Sequence, residues 1–240
     1  MKLYGKNPVL ERIKTNPKTI KRVLIEQGHS ESSYIHQKGK QFSIPVLSVP
    51  YTKIQKLAHN LNTQGIIAEV EDFPYMDIND LLQIALEKKW SVLFLDNLTD
   101  PQNLGGIMRT CGSLGGFAIV LPTTESVGVT ETVLRVACGG DNYVTVAKVS
   151  NLGNAIEKAK KLGFWMMGTA IKGSKSILEV KLQFPLGLVL GSEDKGVREI
   201  IRKKLDQEVM IPMKYERMSL NVAHASSILC YEICRQRLQK

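Results

Sequence analysis

Ile211-Pro-Met-Lys-Tyr-Glu-Arg-Met-Ser-Leu-Asn-Val-Ala-His224 lies where a strand gives way to a helix. The preceding Gln207–Ile211 is strand-like and stops at Pro212, an irregular loop follows, and a long apolar helix is expected to begin around Ser219. Ser219 is a residue type that caps helices, and Asn221 then falls in the first turn, where backbone N–H groups lack intrahelical partners and can meet a ligand. Further along, Ala225, Ile228, Leu229 and Ile233 share a face expected to be buried. Taken alone, the stretch also suits an ordinary capped helix.

Upstream, the chain alternates. Val92–Leu95, Phe117–Leu121, Val144–Val146, Phe164–Thr169, Leu186–Leu190 and Val209–Ile211 read as short buried strands. Helical patterns at Asn103–Leu114, Val129–Ala137, Leu152–Leu162 and Gly196–Leu205 lie between several of them. This order predicts an α/β fold with a parallel sheet covered on both faces. Two nucleotide-binding readings fail on particular residues. Gly105-Gly106…Gly112…Gly115-Gly116 does not fit GxGxxG, and Gly191…Gly196 is followed by Val197-Arg198 where a P-loop needs Lys and Ser/Thr.

The N-terminal part reads as a smaller α/β block. It has helices at Pro8–Lys14 and Lys53–Asn60 and strands at Ile20–Gln27, Pro45–Val49 and Gly65–Val70. The acidic, Pro-containing stretch Glu71–Asp80 breaks the pattern. The division predicted is 1–72, a linker at 73–85, and 86–240.

Composition narrows the partners. Residues 1–60 hold eleven Lys/Arg against three acids, so nearly all of the net charge of +9 sits in the first quarter. Such a block suits a polyanion such as RNA, although a solvated basic face would look alike. No segment approaches the roughly 18 apolar residues of a membrane span, and Met1-Lys-Leu-Tyr-Gly-Lys lacks the apolar core of a signal peptide, so a cytoplasmic location is expected. Cys111, Cys138, Cys230 and Cys234 form no CxxC pair and no histidine stands at zinc-finger spacing from them, so neither a disulfide framework nor a metal site is expected.

Three ordered segments carry a resemblance. Leu95-Asp-Asn-Leu-Thr-Asp-Pro-Gln-Asn-Leu-Gly-Gly-Ile-Met-Arg-Thr-Cys-Gly-Ser-Leu-Gly-Gly116, Leu188-Val-Leu-Gly-Ser-Glu-Asp-Lys-Gly-Val197 and the stretch quoted first resemble the three motifs of the SpoU (TrmH-like) RNA ribose 2′-O-methyltransferases of the SPOUT class. The resemblance implies S-adenosylmethionine as methyl donor, a deep trefoil knot and a homodimer. It assigns Asn103, Arg109, Glu193, Ser219 and Asn221 to the catalytic centre. Thr169, Ala170, Leu190, Gly191, Ile211, Met213, Ser219, Leu220 and Asn221 are assigned to the cofactor site. A guanidinium with a pKa above about 12 is a poor base. Clamping of an RNA phosphate therefore suits Arg109 better than proton abstraction. Gly191 is expected to let the cofactor approach the backbone. Asp194 and His224 depart from the family pattern.

The opening Tyr4-Gly-Lys-Asn-Pro-Val-Leu-Glu and the later Asn62-Thr-Gln-Gly-Ile-Ile-Ala68 are similar to parts of an L30e-like substrate-binding domain, with Thr63 where His is commoner. That domain precedes the catalytic part in 23S rRNA guanosine 2′-O-methyltransferases of the family. The resemblance therefore implies an rRNA substrate. The alternatives are ribose methylation of tRNA and a non-catalytic RNA-binding protein of the same fold.

Overall fold

The computed structural model describes residues 1–58, 61–170, 174–192, 196–215 and 219–238. The first block is a four-stranded sheet in the order β1 (Lys2–Tyr4), β4 (Ile66–Val70), β2 (Ile20–Glu26), β3 (Val46–Val49). Helices α1 (Lys6–Thr15), α2 (Ser32–Phe42) and α3 (Tyr51–Ala58) connect the strands. β4 is antiparallel to both its neighbours, and β2 and β3 are parallel. β1 and α2 lie outside the sequence expectation. In α2 only Ile35 and Gly39 are buried, a stripe too thin to give a helical period.

The second block has a seven-stranded parallel sheet in the order β7-β6-β5-β10-β8-β11-β9. Its strands are β5 (Ser91–Asp96), β6 (Phe117–Pro122), β7 (Thr145–Val149), β8 (Trp165–Thr169), β9 (Lys175–Ser176), β10 (Leu186–Gly191) and β11 (Gln207–Met210). Every residue of β5 and β6 is buried, as expected of parallel strands covered on both faces. Alternation divides their side chains. Leu93, Leu95, Ile119 and Leu121 pack with α5 (Pro101–Leu114), α6 (Glu131–Ala137) and α9 (Val222–Arg237). Val92, Phe94, Ala118 and Val120 pack with α4 (Ile78–Glu87) and α7 (Leu152–Lys161) on the other face.

Two expectations need correction. The stretch 73–85 is not an irregular linker, because α4 occupies much of it. Asp77 caps α4 through Asn79 N at 2.7 Å, and Ile78, Leu81, Leu82 and Ala85 bury against the sheet. Acidic residues that read as linker are a cap and a first-turn acid. The helix predicted at 196–205 is the short α8 (Glu199–Arg202), because Arg198 before it is held extended (φ −57°, ψ 143°).

The two blocks are closely docked. Leu3, Val9 and Ile13 belong to the same continuous apolar cluster as Val133, Leu134 and Ala137. Around this contact Glu131 accepts from Lys2 N at 2.8 Å and from the Tyr4 hydroxyl at 3.0 Å. Burial, reinforced by Glu131, pushes the Tyr4 phenol up to about 12. Arg12 on α1 forms a buried 2.6 Å ion pair with Asp141 in the 3-10 turn Gly140–Tyr143.

Candidate active site

The carboxyl ends of neighbouring parallel strands leave a crevice where ligands of α/β proteins bind. Here that crevice is an open cleft. Thr169 and Ala170 at the end of β8 form one wall, and Leu190 and Gly191 at the end of β10 form another. Ile211 and Met213 follow β11, and Ser219 and Leu220 lead into α9. Eight of the nine positions predicted for the cofactor thus meet at one cleft. Ser192, Val209 and Val222, which sequence reasoning did not select, also line it. No described lining residue carries a charged side chain. Such a cleft recognises a ligand through apolar contact and backbone polar groups.

Asn221, the ninth, has a different task. It, and not Ser219, is the N-cap of α9: its side-chain oxygen accepts from Ala223 N at 2.8 Å. Its amide Nδ2 donates to Asn103 Oδ1, also at 2.8 Å. Both Ser and Asn are good caps, so local sequence does not choose between them. The tertiary partner Asn103, buried near the start of α5, makes the choice. The two asparagines expected from the motifs are therefore in contact, and Ser219, close before Asn221 in sequence, is on the cleft wall.

Arg109 is elsewhere. It is exposed on α5 and lines a second groove with Lys14 and Tyr143, outside the first cleft. Glu193 lies outside the described residues. His224 is exposed at the start of α9, so it is not a core residue of the single chain.

Gly191 lines the cleft, and its missing Cβ serves the chain as well. A Cβ at Gly191 would fall 2.0 Å from Gly196 C and 2.1 Å from its carbonyl oxygen. The glycine therefore lets Gly196 approach the end of β10, where Ser192 and Gly196 form a bridge.

A further pair organises this loop. Asp96, fully buried at the end of β5, accepts from Arg198 N at 2.9 Å and from Arg198 Nε at 2.8 Å, and Arg198 Nη2 lies 2.6 Å from it. The hydrogen bond to Asp96 raises the guanidinium's pKa above its ordinary value. The chelate ties the segment after β10 to β5. Its sequence signal was only a charge ending an apolar strand. Among the described residues no group of three or more His, Cys, Asp or Glu is placed to hold a metal ion, and no helix is long and apolar enough to cross a membrane.

Residues 91–231 match the SpoU rRNA Methylase family, and residues 2–76 match a family described as RNA 2′-O ribose methyltransferase substrate binding. The chain belongs to the SpoU family. It is 34% identical over 238 residues to YacO of Bacillus subtilis (strain 168), named for the TrmH family of tRNA/rRNA methyltransferases. That alignment covers 98% of this chain and 95% of YacO. The fold is similar to that of the SpoU methyltransferase AviRb from Streptomyces viridochromogenes in complex with AdoMet. The TM-score is 0.82 at 21% identity, over 100% of this chain and 91% of AviRb. A TrmH/SpoU tRNA modifying enzyme of A. aeolicus is 29% identical with a TM-score of 0.56, over 68% of this chain and 85% of its own. This SpoU-family chain is thus a methyltransferase, and AviRb is the neighbour in fold seen with S-adenosylmethionine.

The fit of the cleft to that cofactor can be judged on its own lining. Its walls are apolar and uncharged, with the strand ends and the loop before α9 bringing backbone groups to its edge.

Proposed function

We propose that this protein methylates a ribose 2′-hydroxyl of RNA, a guanosine of 23S rRNA being the preferred target. The observation that carries the reading is the Asn103–Asn221 contact beside an uncharged cleft, in a chain whose residues 2–76 match an RNA substrate-binding family. Preference for rRNA rests on that N-terminal block, which is L30e-like in our reading. The tRNA modifying neighbour aligns with only 68% of this chain.

S-adenosylmethionine supplies an electrophilic methyl group on a sulfonium. Transfer forms an O–CH3 bond, breaks an S–CH3 bond and releases the hydroxyl proton. The chain's task is then to align and desolvate the two partners. Thr169, Leu190, Gly191, Ile211, Met213 and Leu220 hold the donor, and Ser219, Asn221 and Asn103 order the loop facing the ribose. Arg109 holds the phosphate next to the target ribose.

Two points of assembly belong to the same proposal. The chain from β8 to α9 forms the trefoil knot, supported by the non-sequential strand order β5-β10-β8-β11 and by the return of α9 onto α5. The functional unit is a homodimer, and the cytoplasm is its compartment. Ile228, Tyr231 and Leu238 make an exposed apolar stripe on α9 suited to a second copy. Dimerisation would bring one chain's Arg109 to the RNA-facing side of the partner's cleft.

Incubation with labelled S-adenosylmethionine and separate unmodified rRNA and tRNA transcripts tests the reading. Label in rRNA, mapped to a ribose 2′-oxygen, is the expected result. Label in tRNA alone would replace the rRNA target. Binding of RNA without transfer to any transcript would favour the non-catalytic alternative.

A further inference from the structure

The second groove is built from both blocks. Lys14 and Glu11 of α1 form one side, Arg109 and Ser113 of α5 the other, and the turn ending at Tyr143 closes it. Glycines make the approach possible. A Cβ on Gly112 would sit 2.6 Å from Gly140 O, and one on Gly139 would sit 2.7 Å from Glu11 Cβ. The groove therefore exists only because the N-terminal block is docked. Its cations are available. The Arg109 guanidinium has no hydrogen-bond or ion-pair partner among the described residues. Lys14 is exposed, with only a 3.7 Å contact to Glu11. Tyr143 presents a half-exposed ring, oriented by its hydroxyl donating to Glu11.

We infer that this groove is a subsite for a nucleotide flanking the methylated ribose, with its backbone phosphates on Arg109 and Lys14 and its base against the ring of Tyr143. The inference rests on the proposed RNA substrate and adds Lys14 and Tyr143 as positioning residues. An exposed aromatic beside solvent-facing cations is the chemistry that binds unpaired nucleotides, since every base has a face to stack and every link a phosphate to neutralise. Glu11 does not oppose this role. Its carboxylate is engaged by Tyr143 and Lys14, and with Lys14 and Arg109 it leaves the groove one positive charge in excess. The N-terminal block in this account forms one wall of the substrate path as well as collecting RNA.

The test uses the full chain, labelled S-adenosylmethionine and the transcript that accepts label. Tyr143→Ala should raise KM for RNA about tenfold, the scale of one lost base–aromatic stack. Tyr143→Phe, which keeps the ring and loses the bond to Glu11, should stay within about twofold of the wild type on the same principle. Lys14→Glu should weaken RNA binding and reduce its salt dependence by about one counterion. AdoMet affinity should be unchanged in all three. If Tyr143→Ala misfolds, the surface change Lys14→Glu decides. Wild-type RNA parameters in Lys14→Glu, or equal defects in Tyr143→Phe and Tyr143→Ala, would overturn the subsite. A wild-type protein that labels no RNA would instead count against the proposed function.

Discussion

Asn221 on α9 and Asn103 on α5 are 118 residues apart in the chain and joined by a 2.8 Å hydrogen bond, while Asn221 also caps its own helix. One side chain thus sets the start of α9 and anchors it to the helix of the first motif. Asn221→Ala removes both functions. Loss of the cap alone costs about 1 kcal/mol, and the freed loop should weaken AdoMet binding and turnover together. Asn221→Asp keeps a cap acceptor but cannot donate to Asn103, so it should lose activity with less loss of melting temperature. Titration calorimetry and thermal melts on both variants check this. Wild-type cofactor affinity in Asn221→Ala would separate this residue from the cleft.

Gly191→Ala should damage the cofactor cleft through the chain itself. The added methyl group meets the Gly196 backbone at 2.0 Å, and backbone cannot swing aside as a flexible side chain can. A destabilisation of about 1–3 kcal/mol is expected from overpacking, with a clear loss of AdoMet affinity. Denaturant unfolding and calorimetry measure the two effects. A fully stable variant with normal affinity would mean that the turn after β10 has another conformation open to it.

Arg109→Ala should abolish methyl transfer while AdoMet affinity stays close to that of the wild type. The side chain is exposed in the second groove and touches none of the cleft described for the cofactor. Arg109→Lys should recover only part of the activity, because an ammonium lacks the planar fork that matches a phosphate. Near-normal turnover in the alanine variant would remove the phosphate role.

Arg12→Ala should loosen the contact between the blocks. It leaves the Asp141 carboxylate buried without its ion-pair partner, a change of the kind that costs about 3–5 kcal/mol. Limited proteolysis between residues 71 and 77 should quicken. Deleting residues 1–72 outright should do more, exposing the apolar surface of α6 that Leu3, Val9 and Ile13 cover. Residues 73–240 alone are thus expected to melt lower and associate non-specifically, even where their AdoMet cleft persists. A truncated protein as stable as the full chain would show that the interface contributes little.

Acid should weaken two ion pairs, Arg202–Glu208 beside β11 and Arg235–Glu232 on α9. The hydrogen bond from Arg202 holds the Glu208 carboxyl below its ordinary 4.5, and that from Arg235 does the same for Glu232. A carboxyl depressed in the folded state stabilises the protein above its unfolded value, and that contribution is lost as pH falls through the folded value. Melting temperature should therefore drop as pH is lowered below about 4.5. Glu208→Gln should start lower at neutral pH and drop less. An equal drop in both proteins would assign the acid sensitivity to other groups.

The elements and the cleft positions were legible in the sequence to different depths, for physical reasons. Strands such as Ser91–Asp96 and Phe117–Pro122 are buried on both faces, so their apolar runs stand out without any partner in view. The three motifs named six cleft residues, and the end of the strand Phe164–Thr169 two more, because loops at strand ends must supply small or apolar groups there. Weakly amphipathic α2 and the acid-rich start of α4 were hidden, since one is nearly all solvated and the other carries its acids as cap and first turn. The tertiary structure alone decided which residue caps α9, why Gly191 is glycine, and that Asp96 reaches Arg198 across 102 residues. It also separated Arg109 from the cofactor cleft and placed it beside Lys14 and Tyr143. Periodicity records how a segment meets solvent. Which two segments share a hydrogen bond or a wall depends on how the strands are ordered, and no local pattern encodes that.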